Sequence, residues 1–124
     1  MDLVEELNKL QRQLDDAVKR LPLTGKDYAQ AYGEYRIALA QELVKLRDKG
    51  TPVSICSDLA RGNKDVATKK FKEISTEAIY RANLESINSI KIQMKVLENQ
   101  IEREWNNGNT MWFYFKNYVW KQRG

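Results

Sequence analysis

The sequence contains no histidine, a single cysteine, two prolines and six glycines in 124 residues, and each shortage excludes something. Without histidine the commonest general base and metal ligand is missing, and no serine–histidine or cysteine–histidine nucleophile pair can form within the chain. Cys56 alone can make no internal disulfide, which suits a reducing compartment; in its apolar stretch it reads as a small buried hydrophobe. One thiol with carboxylates is a poor zinc ligand set. Thr24-Gly25-Lys26 lacks the remaining spacing of a phosphate-binding loop. Glu98 and Glu102, one turn apart, read as solvated surface and not as a magnesium site. No enzyme, cofactor or metal is therefore expected.

Long apolar runs are also lacking. No stretch approaches the roughly 20 apolar residues of a membrane span. The start, Met1-Asp2-Leu3-Val4-Glu5-Glu6, is acidic and amphipathic, unlike a secretory signal. A membrane partner is not expected. Hydrophobic residues at 42% and charged residues at 31% fit one modest folded domain.

What is present is helical periodicity. Leu3, Leu7, Leu10, Leu14, Ala17 and Leu21 alternate spacings of four and three, a heptad stripe that Val4 and Val18 widen. Pro22 is expected to end this helix, with Pro22–Gly25 as a short connection to an antiparallel neighbour. Thr24 would cap a second helix, whose inner stripe is Tyr28, Tyr32, Tyr35, Leu39, Leu43 and Leu46, with Gly50 as its stop. Thr51 and Pro52 would start a short third helix. Gly62 reads as a left-handed stop for it, and Asn63 as the cap of the next helix.

From Lys64 to about Trp105 there is neither proline nor glycine, so one helix of roughly 60 Å is expected. Its apolar stripe runs Val66, Phe71, Ile74 and Ala78, then Tyr80, Leu84, Ile87, Ile90, Met94, Leu97, Ile101 and Trp105. The fold class expected is all-α: an antiparallel helical bundle with two N-terminal helices, a short helix and one long C-terminal helix. Residues 1–106 would form the bundle domain, and 107–124 an aromatic, basic tail. Asn106-Asn107-Gly108-Asn109 reads as a turn. Beyond it the tail either folds back on the bundle or docks a partner.

Two segments are candidate contact surfaces. Arg61, Lys64, Lys69, Lys70 and Lys72 form a basic stretch diluted by Asp65 and Glu73. Trp112, Phe115, Tyr118 and Trp120 belong to the tail, which carries three basic residues and no acidic one. The short helix, glycine turn and long helix around Gly62 do not fit a helix-turn-helix, because Asp58, Arg61 and Thr68 stand where that motif needs small or apolar residues.

The stretches Leu46-Arg47-Asp48-Lys49-Gly50-Thr51-Pro52-Val53 and Asp58-Leu59-Ala60-Arg61-Gly62-Asn63-Lys64-Asp65-Val66-Ala67 resemble a group of small prophage-encoded helical proteins of unknown function. Tyr80-Arg81-Ala82-Asn83-Leu84-Glu85-Ser86-Ile87 and Glu102-Arg103-Glu104-Trp105 fit the same resemblance, which covers about residues 26–106. It implies a mobile-element setting, in the cytoplasm of a bacterial host cell, and supplies no catalytic motif. The function expected is that of a non-catalytic, phage-type protein that binds a protein partner, for instance to inhibit a host defence complex as anti-CRISPR proteins do. The alternatives are a nucleic-acid-associated protein of a phage replication or recombination module, in which the basic and aromatic residues touch phosphates and bases, and a structural homo-oligomer such as a dimer.

Overall fold

The computed structural model describes residues 2–108, with side chains through Asn106. These residues form three helices and no strand: α1, Leu3–Asp48; α2, Val53–Gly62; and α3, Lys64–Gly108. The chain is all-α. It divides into two compact units. A central unit comprises Ala17–Glu85, and a terminal unit takes Met1–Asp16 together with Ser86–Gly124.

The two expected N-terminal helices are one. α1 runs without interruption through Pro22 and Gly25. Pro22 lacks the N–H that Val18 would accept, and a proline inside a helix costs about 3 kcal/mol in isolation. Pro22 and Val18 both lie on the exposed side of α1, where water can serve the freed carbonyl. The opposite side is held from α3. The Asn83 amide donates to Ala17 O at 2.9 Å, and the Thr24 hydroxyl donates to Asn83 Oδ1 at 2.9 Å. Thr24 also lies 3.2 Å from Leu21 O. It is a mid-helix residue bonded across to α3, not the cap of a new helix. At Gly25 the two helices come close: a Cβ there would stand 3.4 Å from the Tyr80 ring, and that ring stacks on Tyr28 with centroids 6.1 Å apart.

Other local signals hold in part. α1 ends at Asp48, and Gly50 takes φ 81°, with Thr51 N donating to Leu46 O and Gly50 N to Arg47 O. This is the Schellman arrangement that a glycine permits. α2 starts at Val53 after Pro52, without a side-chain cap from Thr51. Asn63 Oδ1 accepts from the amides of Asp65 (2.9 Å) and Val66 (3.2 Å), capping α3. Gly62 is the last residue of α2 and does not have positive φ; the chain turns at Asn63 in extended backbone. Asn106 and Gly108 belong to α3, so the expected turn at 106–108 is helix. The tail after it lies outside the described residues.

Within the central unit α1 and α3 are antiparallel: Ala17, Thr24, Tyr28 and Tyr35 meet Asn83, Tyr80 and Lys70 in reverse order. The core is built mainly from small residues. Ala17, Ala31, Ala38, Cys56 and Ala60 are buried with Tyr35 and Val66, and Tyr35, Ala38 and Val66 pack as one cluster with Leu39 against it. Alanine faces let helix backbones approach closely, and they leave little room for large side chains. The terminal unit is different. It buries Leu10, Ile87, Ile90, Leu97 and Ile101, all on the expected stripes.

The early part of the α3 stripe is corrected. Phe71, Ile74 and Ala78 point outward, and Glu73 is buried in their place. Tyr32, Val4 and Val18 also lie outside the seam.

Candidate functional site

The basic stretch 61–72 is partly accompanied by carboxylates. Lys69 Nζ lies 3.8 Å from Asp65 Oδ1, one turn earlier on α3. Lys70 Nζ lies 2.8 Å from Glu73 Oε2, and its ammonium sits 4.7 Å from the centroid of the Tyr35 ring. Donating a hydrogen bond to Glu73 raises the Lys70 pKa above its ordinary 10.5, against the lowering effect of burial, with the electrostatic influence of Glu73, Tyr35 and Glu77 adding to the rise. Lys70 thus has a structural task. Glu73 is buried and its carboxylate needs a cation; the one that serves it comes from three residues earlier on the same helix. Arg61, Lys64 and Lys72 are exposed. Of the five, Arg61 and Lys70 come together, lining with Tyr35 an open concavity of about 310 Å³. Trp112, Phe115, Tyr118 and Trp120 lie outside the described residues.

A second surface carries no charge motif, and periodicity aimed inward misses it. In the central unit, Leu23, Ile37 and Val44 of α1 are 63%, 60% and 60% exposed. They are separated by fourteen and seven residues, so they share one heptad position and form a line along α1. Gln30 holds the remaining position of that line and bonds Glu34 on the same helix. The line is turned away from Ala31, Tyr35 and Ala38, which are buried. Phe71 of α3, at 73%, is more exposed than any of these. On α2, Val53, Ile55 and Leu59 face outward while Cys56 and Ala60 face in. Two- and three-helix packing on alanine leaves several of the larger apolar side chains of this unit outside. The signal that could find them is the second, outward heptad position of α1.

Among the described residues, no helix is long and apolar enough to cross a membrane, and no group of three or more histidine, cysteine, aspartate or glutamate side chains could hold a metal ion. No family model, curated protein or solved structure matches the chain.

Proposed function

We propose that this chain is a non-catalytic binding protein that engages a protein partner through the outward apolar line of α1 in its central unit. The observation that carries the reading is an inversion: Ala31 and Ala38 are buried while Leu23, Ile37 and Val44 of the same helix stand in water. Exposed apolar side chains at heptad spacing are what a helix offers to a partner's groove or to a partner helix. Single exposed leucines are ordinary on any surface, and an aligned set on a helix of 46 residues is not.

The setting we propose is a mobile element in a bacterial cell, where such a protein would hold a host defence complex inactive. Support for the setting comes from the resemblance over residues 26–106. Nucleic acid is the competing partner for Arg61, Lys64 and Lys72. Carboxylates on α3 already accompany Lys69 and Lys70, which favours a protein partner over a phosphate backbone.

The test compares the wild-type chain with Ile37→Glu/Val44→Glu as baits in lysate of a phage-infected bacterium. A stoichiometric protein retained by the first and lost by the second is the expected result. Equal retention by both, or a shift of DNA at low salt that the double variant leaves unchanged, would overturn the proposal.

A further inference from the structure

The terminal unit presents a different unfilled surface. Its described part is two helical segments, which share one seam, and Leu10, Ile87, Ile90, Leu97 and Ile101 are buried there. Ile92 and Val96, one turn apart on α3, remain 65% and 58% exposed. With Leu10 and Leu97 they line a shallow, mostly apolar concavity of about 280 Å³, with Glu6 on its lip. A second concavity of about 540 Å³ begins at the same Val96 and extends past Asn99 to Glu102, Arg103 and Asn106. The two form a track along α3 that leads toward the last described residues.

The charge of the unit says what would suit this track. Its described residues include eight acidic and five basic side chains. Residues 109–124, which come directly after, have no acidic residue, three basic ones (Lys116, Lys121 and Arg123) and six of the chain's twelve aromatics. A second copy would bring the same acidic excess to the face, whereas this segment brings the opposite sign and the apolar area. Its length is sufficient. From Gly108 back to Ile92 is about 24 Å at 1.5 Å per helical residue, and sixteen residues can span up to about 53 Å when extended.

We propose that the track along Leu10, Ile92, Val96 and Leu97 seats the chain's own residues 109–124, with aromatic side chains on the apolar floor and basic side chains beside Glu6. This seating is independent of the binding function proposed for the central unit.

The test uses the full chain carrying Trp105→Phe, so that Trp112 and Trp120 are its only tryptophans. Their emission should be blue of that of a free 109–124 peptide and shielded from acrylamide, independent of protein concentration. Adding Ile92→Glu/Val96→Glu should shift the emission to the red and raise quenching several-fold, with far-ultraviolet circular dichroism unchanged, because both side chains are more than half exposed. Reversing Lys116, Lys121 and Arg123 to glutamate alters no described residue and should give the same shift. Emission and quenching equal to the free peptide's before any groove substitution would overturn the proposal. So would shielding that vanishes on dilution together with a sedimenting dimer, since the occupant would then be a second copy.

Discussion

The terminal and central units are built from the same two long helices, yet their buried seams hold side chains of different size. In the terminal unit the seam holds leucine and isoleucine. In the central unit the buried positions are mainly alanine, with Cys56, Tyr35 and Val66, while Leu23 and Ile37 of α1 and Ile55 and Leu59 of α2 lie outside. A seam of large residues gains stability from burial, at roughly 25 cal/mol for each Å² of apolar surface removed from water. A seam of alanines gains closer backbone approach and little area. The comparison separates what a helix does for its own fold from what it offers elsewhere, and side-chain size alone does not reveal which.

The sharpest way to break the comparison is Ile87→Ala. It removes a buried side chain from the terminal unit, and a loss of about 2 to 4 kcal/mol in denaturant unfolding is expected. Ala38→Leu tests the other unit from the opposite direction. The larger side chain has no space between Tyr35 and Val66, so a loss of about 1 to 3 kcal/mol is expected although hydrophobicity rises. A smaller effect belongs to Lys70→Gln, at about 1 kcal/mol, for weakening the only ion pair that buried Glu73 makes among the described residues. Because the Lys70 pKa is raised, its contribution is complete below pH 10.5 and is lost as the pH climbs through the higher folded-state value. Thermal melts should therefore show wild type and variant converging in strongly alkaline buffer. The smallest effect should come from Ile37→Ala, which deletes as much side chain as Ile87→Ala. At 60% exposure it is expected to change stability by no more than about 0.5 kcal/mol.

How much of this was legible in the sequence depended on distance along the chain. Gly50 and Asn63 announce themselves because their partners are within a few residues: Gly50 needs only its own φ, and Asn63 caps the amides two and three positions ahead. The heptads of the terminal unit were legible for the same reason, as Leu3, Leu7, Leu10 and Leu14, and then Ile87, Ile90, Met94, Leu97 and Ile101, recur at spacings of three and four. Pro22 and Gly25 were misleading. What lets a helix continue through them is Asn83 and Tyr80, about 60 residues away, and no local rule contains that contact. Glu73 sits between the two cases. Its burial reverses the apolar pattern set by Phe71 and Ile74, but Lys70, three residues earlier, was a readable sign that the carboxylate could be neutralised within its own helix. For the contact surfaces, the basic stretch was visible and its partial neutralisation by Asp65 and Glu73 could be anticipated. The outward line of Leu23, Ile37 and Val44 was not read, because apolar periodicity is ordinarily assigned to the interior.

The Asn83 contact has a further consequence. Heptad seams are nearly translationally degenerate: shifting one helix by seven residues sets leucine against isoleucine again at little energetic difference. Asn83 lifts that degeneracy. In the observed alignment its amide donates to Ala17 O and accepts from the Thr24 hydroxyl, and a shift of seven residues would part it from both. An Asn83→Leu chain should therefore stay helical yet populate more than one alignment, visible as doubled amide resonances. The polar side chain makes the slid conformations costly, and in that way it selects one fold from a family of near-equivalents.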